Sequence, residues 1–305
     1  MRDAPDALID RFVAPQPIVR LELIRILAPL AILGFMSSRI INARDWISDA
    51  GFRIPTSIED YRQPLAIPGV PVWMAYAIVT LLVIAGLMVV AGAFTRVAAA
   101  TFFVILVYVA LADRMAAFTV SKISPVIALG LFLSPAGARY SVDAWRAKRR
   151  DKNWLPPTHC GWGSVRFFQV WLGVFYLSSG IAKAKGDWLS DPYVLWSHIH
   201  DSYQTWVSWF IGNHAPKVMW TVLQGITLTF ELAAPLWFIL PWTRPFAFGW
   251  AVLMHLMIGL MFGPVIWFSL LMITLLLASY APLSWIERAF AAVAIRLQKP
   301  RSKPA

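Results

Sequence analysis

The chain has 305 residues and one cysteine, Cys160. That excludes an intrachain disulfide and leaves no paired-thiolate metal site. Acidic residues are also scarce: 16 Asp and Glu stand against 27 Lys and Arg, for a net charge of +11. No HExxH pair and no phosphate-binding glycine loop occurs, so the zinc-hydrolase and nucleotide-binding motifs are missing. No internal repeat or low-complexity linker divides the chain, which reads as one domain with short tails. The first 20 residues hold acids and several prolines and do not have the form of a cleavable signal peptide.

Charge is missing altogether from two long stretches. Residues 64–95 and 245–286 contain no Asp, Glu, Lys or Arg. About 20 apolar residues suffice for one helical crossing, and the second stretch is broken midway by Gly263-Pro264. Hydrophobic residues make up 59% of the chain, too many for an ordinary soluble domain. The expected fold is all-α: a polytopic membrane helical bundle of about eight transmembrane helices. The spans are expected near 21–41, 72–94, 97–113, 115–135, 166–184, 218–241, 245–262 and 265–283, with Asp113-Arg114 as a tight connection. The expected division is a tail over 1–20, a transmembrane domain over 21–286 and a basic tail over 287–305.

The positive charge that is present clusters between spans. The densest block is RYSVDAWRAKRRDK, residues 139–152, and Arg288, Arg296, Lys299, Arg301 and Lys303 come after the last span. In a soluble protein such charge suggests nucleic acid; here it reads as an orientation signal, with no nucleic-acid partner expected. The positive-inside rule then puts both termini in the cytoplasm of a multi-pass inner-membrane protein. It puts Lys183 at the outer end of span five.

Two outer loops are long enough for structure. Residues 42–71 carry mixed charge. Over 189–217, Trp196, Ile199, Tyr203, Trp206 and Phe210 recur at helical spacing, which predicts an outer interfacial amphipathic helix. His198 and His200 lie two apart on that helix, about 200° around it, so they do not form a joint metal site; no metal is expected.

Ionisable residues within spans are functional-site candidates by default. Arg25 lies in span one with Glu22 one turn earlier, the spacing of a local ion pair. Lys122 lies in span four, Lys183 closes span five, and Glu231 and His255 sit mid-span in helices six and seven. If those helices converge, Lys122, Lys183, Glu231 and His255 form a polar cavity open to the outer side. Lysine withdrawn from water favours its neutral amine, a competent general base. Snorkelling to the interface is the competing reading for both lysines.

The segment YLSSGIAKAKGDW, residues 176–188, resembles the HTTM family, whose membrane domain is that of vitamin K-dependent gamma-glutamyl carboxylase. Counted from Gly180, Lys183 falls on the family's base, and Asp187-Trp188 on an acid-tryptophan pair. HLMIGLMFGPVIWFSLLM, from His255, is a second match. Weaker ones are LELIRI (21–26), FLSPAGARYSVDAW (132–145) and the Glu231 segment. The resemblance implies a reduced lipid quinone as ligand and Lys183 with His255 as the catalytic pair. Glu231, Lys122 and Trp188 are the expected contacts to the cofactor.

No counterpart of the carboxylase's large lumenal domain is expected here, since the chain ends about 20 residues past the last span. DRMAAFTVSKISP, between spans three and four, also lacks the family's asparagine-histidine pair. Carboxylation of a protein is therefore not the expected activity. Short members of the family include one resembling a maturation factor for a secreted peptide toxin, which implies a membrane or secreted peptide partner. Two alternatives stand beside a quinol-linked or peptide-modifying enzyme. GLMVVAGAFTRVAAA (86–100) with SPAGARYSVDAW resembles DoxX-like membrane subunits of quinone oxidoreductases. A non-catalytic transporter or peptide-maturation partner is the other.

Overall fold

Helices succeed one another from Val19 to Gln298. A computed structural model describes residues 10, 12–51, 67–112, 119–201 and 203–298. In chain order the helices are α1 (Val19–Ile41), α2 (Ala43–Ile47), α3 (Val72–Ala91), α4 (Thr95–Ala112), α5 (Thr119–Leu133), α6 (Val142–Arg150) and α7 (Trp162–Lys185). Then come α8 (Val194–His198), α9 (Trp206–His214), α10 (Lys217–Ile239), α11 (Arg244–Met261), α12 (Ile266–Tyr280) and α13 (Leu283–Gln298). The only sheet among the described residues is a two-residue antiparallel pairing of Gln16–Pro17 with His159–Cys160.

Eight of these helices occupy the eight expected spans. Six segments are long and apolar enough to cross a bilayer: α3, α4, α7, α10, α11 and Gly263–Tyr280. The apolar part of α5 is shorter, over Val120–Leu133. Helix α1 has 23 residues but carries Arg20, Glu22, Arg25 and Arg39. Turn chemistry sets the ends. Gly92 closes α3 in the left-handed conformation, at φ +67°. Pro245 starts α11, and Gly263-Pro264 forms the 3-10 turn that separates α11 from α12. The Asp113-Arg114 connection and the charged residues 52–66 lie outside the described residues.

Helix α1 is central, packing on α3, α12 and α5, while α7 pairs with α10, α4 with α5 and α11 with α12. The expected local ion pair in α1 has a larger role. Glu22 and Arg25 are both fully buried, with Arg25 Nη2 2.8 Å from Glu22 Oε2. Arg25 also donates to the carbonyls of Val89 and Val90 at the end of α3, and to Tyr140 O at 2.7 Å. The other Glu22 oxygen accepts from Arg139 N–H. A helix end leaves carbonyls without intrahelical partners, and here a buried guanidinium fills them. Asp143 completes the arrangement, accepting from Phe94 N, Thr95 N and Thr95 Oγ1 at the start of α4. The clasp thus ties α1, the α3–α4 turn and residues 139–143 into one polar knot on the basic face.

One expectation needs correction and a second gains detail. Residues 189–217 do not form one amphipathic helix but two short ones, α8 and α9, with a turn between. Thr205 and Ser208 make a reciprocal capping box that starts α9 anew. Thr205 Oγ1 and Tyr203 O also bond the end of α11, at Leu260 O and Gly263 N. Ile199 is buried with Trp220 and Met261, whereas Trp206 is 73% exposed, so this segment docks on α10 and α11 rather than presenting one lipid face. The stretch expected as a tail from 287 is helical to Gln298, as α13, and Phe290 stacks on Tyr140 at 4.8 Å.

Candidate intramembrane polar site

Tyr176, Ser179, Gly180 and Lys183 lie on one face of α7, at successive turns of a 3.6-residue helix. That face meets α10 through two glycines. A Cβ on Gly180 would sit 3.0 Å from Leu232 N and 3.1 Å from Glu231 Cβ, and one on Gly173 would touch Pro235. Small residues at such positions let membrane helices approach closely. The close approach delivers Lys183 to Glu231.

Lys183 Nζ donates to Glu231 Oε1 at 2.8 Å, to Oε2 at 2.7 Å and to Ser179 Oγ at 2.7 Å. All three ammonium donors are used. The Lys183 side chain is 23% exposed and that of Glu231 7%. The Trp188 ring lies over the ammonium, 5.1 Å from Nζ to its centroid, a cation–π contact.

The lysine side chain turns into the α7–α10 contact. Glu231 is 14 residues beyond Lys217, about 21 Å along α10 at 1.5 Å per residue, so the pair sits well inside the bundle. Helix α7 ends early, and the chain folds back along the first half of α10. Gln224 holds this return, donating to Trp188 O and Asp191 O at 2.8 Å each and accepting from Leu195 N. Thr221 Oγ1 donates to Pro192 O.

A second polar pair lies two turns back on α7. Tyr176 OH and His255 Nε2 are 2.9 Å apart, and both residues are buried. Phe230 and Phe238 of α10 pack on the Tyr176 ring, and Phe268 of α12 on His255. His255 Nδ1 and Ser269 Oγ, both buried, have no hydrogen-bond partner among the described residues.

Of the residues expected in the site, Lys183, Glu231 and Trp188 therefore meet directly, and His255 bonds Tyr176 two turns along α7 from them. Lys122 is exposed on α5, and no described contact joins it to Lys183, Glu231 or His255. Its helix packs chiefly on α4 and meets α7 near Gly130, at Phe167 and Phe168 rather than at Lys183. Tyr176 and Ser179 were missed. Helical register offered the signal, since both share the Lys183 face of α7.

Beside the site, an apolar groove of about 460 Å³ runs between α10 and α11, lined by Val222, Ile226, Phe230, Trp237, Phe246 and Trp250, among others. Phe230 belongs to both the groove and the Tyr176 contact. The histidines of the 189–217 segment are engaged locally: His198 Nδ1 meets Val194 O and His200 Nδ1 meets Trp196 O, each at 2.8 Å.

A family model described as HTTM domain matches residues 14–285. No curated protein and no solved structure matches the chain.

Proposed function

This chain belongs to the HTTM family, and from that premise we propose that it is an intramembrane enzyme in which Lys183 serves as general base toward a reduced lipid quinone. One observation carries the reading: Lys183 Nζ is held between Glu231 and Ser179, deep in the bundle, and still keeps part of its surface open beneath Trp188. The groove that Phe230 helps to line gives a lipid-soluble ring and its chain an apolar approach. Trp188 and Phe230 are the aromatic contacts for the ring. A reduced quinone supplies an acidic hydroxyl hydrogen and two electrons.

In the paired state Lys183 is an ammonium and cannot accept a proton. Glu231 is the group that changes this. Moving one proton from Nζ to a Glu231 oxygen gives a neutral amine and a neutral carboxylic acid, with no outside acceptor required. The amine can then take a proton from a hydroxyl placed at Nζ. Ser179 keeps Nζ aimed throughout. Tyr176 and His255 form a second buried polar pair two turns along α7.

A non-catalytic role, as a transporter or a peptide-maturation partner, is favoured by the same occupancy of all three Lys183 donors. In that case only the ion pair matters. The DoxX-like resemblance rests on 86–100 and 134–145, which form the Arg25 clasp and have a structural use there. An inner-membrane location with both termini cytoplasmic belongs to the proposal and rests on the basic 139–152 segment.

Lys183→Arg separates the two readings. Arginine can keep the pair with Glu231 but stays protonated. Oxygen uptake by the purified protein with reduced naphthoquinone should be lost in both Lys183→Arg and Lys183→Ala if the lysine is a base. Background uptake in the wild type would refute the enzyme reading for that quinol.

A further inference from the structure

The basic block between α5 and α7 contains more than an orientation signal. Helix α6 has no buried residue, so it lies on the surface of the fold. Against it is a groove of about 570 Å³ lined by Arg139, Tyr140, Trp145, Lys148, Arg149 and Trp154, among others. Three cations and three aromatic rings thus face one concavity. No carboxylate lies within 4 Å of the side-chain nitrogens of Arg139, Lys148 or Arg149 among the described residues. Arg149 lies over the Trp145 ring at 4.0 Å and Arg139 over the Tyr140 ring at 4.8 Å, which leaves their N–H edges free for an anion.

The floor of the groove is rigid. Arg139 N–H is held by Glu22 and Tyr140 O by Arg25, both in the buried clasp. Tyr140 has φ +44°, unusual for a bulky residue, and such strain concentrates where the fold imposes a side-chain direction. The strained backbone turns the ring outward onto Phe290 of α13. Helix α13 carries Trp285 and Val293 exposed beside Arg288, an amphipathic pattern suited to a membrane surface. The groove therefore opens at the level where phosphate headgroups lie, with an interfacial helix alongside.

We infer that this groove binds one anionic phospholipid of the leaflet on the basic face, its phosphate held by Lys148, Arg149 and Arg139 and its glycerol portion against Trp145 and Trp154. Arginine forks match phosphate oxygens bidentately, and basic segments beside membrane helices attract anionic lipid.

Native mass spectrometry of the detergent-purified full chain with added phosphatidylglycerol tests this. The wild type should retain one phosphatidylglycerol at least tenfold more tightly than phosphatidylcholine. Lys148→Gln with Arg149→Gln should remove that preference. Arg150→Gln with Lys152→Gln, which takes the same charge from outside the groove, should leave it intact. All three proteins should melt alike in lipid-free detergent, because these side chains are exposed. Equal losses in both double variants would overturn the groove in favour of diffuse charge. So would equal retention of the two lipids. Soluble glycerol phosphate that displaces phosphatidylglycerol at comparable concentration would show a free phosphate site and overturn the lipid assignment.

Discussion

Removing either member of the Lys183–Glu231 pair should destabilise the bundle, and the two losses should be unequal. Unit charges about 4 Å apart attract by about 4 kcal/mol at an effective dielectric of 20. Desolvation of both groups offsets part of this. Lys183→Met leaves Glu231, only 7% exposed, with no counter-charge. Stranding a buried charge costs about 3–5 kcal/mol. Glu231→Gln leaves Lys183, which is 23% exposed and has Ser179 still in reach, so its cost should be lower, about 1–3 kcal/mol. The double variant strands neither charge and should cost less than the sum, with a coupling of about 2 kcal/mol or more. Equilibrium unfolding in mixed micelles gives all four corners of this cycle. Additivity within about 0.5 kcal/mol would refute the claim that the pair is an energetic unit.

Other consequences are equally specific. Arg25→Met should cost about 3–5 kcal/mol in the same unfolding assay, because Glu22 and three backbone carbonyls lose their donor together. Gly180→Ala places a methyl against Leu232 N and Glu231 Cβ; a loss of about 1–3 kcal/mol is expected, with a weakened response to Glu231→Gln as the α7–α10 contact widens. Gly92→Ala should destabilise by more than about 1 kcal/mol, since its φ is positive and its Cβ meets Ser141. Asp143 gives an acid-side signature. Burial alone would raise its carboxyl, but hydrogen bonds from Thr95 and Phe94, with Arg146 nearby, outweigh burial and hold it below the usual range. Its stabilisation is therefore present above the unfolded aspartate range, near pH 4, and fades as pH falls below it. A melting-temperature profile from pH 6 to pH 3 should be flatter in Asp143→Asn than in the wild type.

The spans were legible because a helix crossing a bilayer needs a long uncharged run, and this chain has such runs with Gly-Pro and Gly breaks between them. Lys183 and Glu231 were legible as candidates for the converse reason: charge inside such a run is costly. Their depth was not. The end of the apolar run at Ala182 suggests an interface, but the depth of that end depends on where the next residues pack, and here Gln224 pulls 188–195 back along α10. Apolar spacing alone also misread 189–217, since it does not register the Thr205–Ser208 cap that stops one helix and starts another. Lys122 illustrates a plainer limit. Local sequence says that a charge lies in a span, and only packing says which side of the helix faces the bundle.

The two buried ion pairs show how packing separates structural charge from candidate chemistry. The Arg25 guanidinium meets Glu22, Val89, Val90 and Tyr140, its surface is fully covered, and nothing is left to recognise a ligand. Its partners are mostly backbone carbonyls, so its role is to close a helix end. Lys183 has only side-chain partners, one of which can itself take a proton, and it keeps part of its surface exposed beside the Trp188 ring. The Arg25 guanidinium stays protonated beside Glu22, whereas a lysine ammonium beside a carboxylate can pass a proton to it without moving a helix, which is the step proposed for Lys183. That difference, more than burial or charge, makes Lys183 rather than Arg25 the residue to change first.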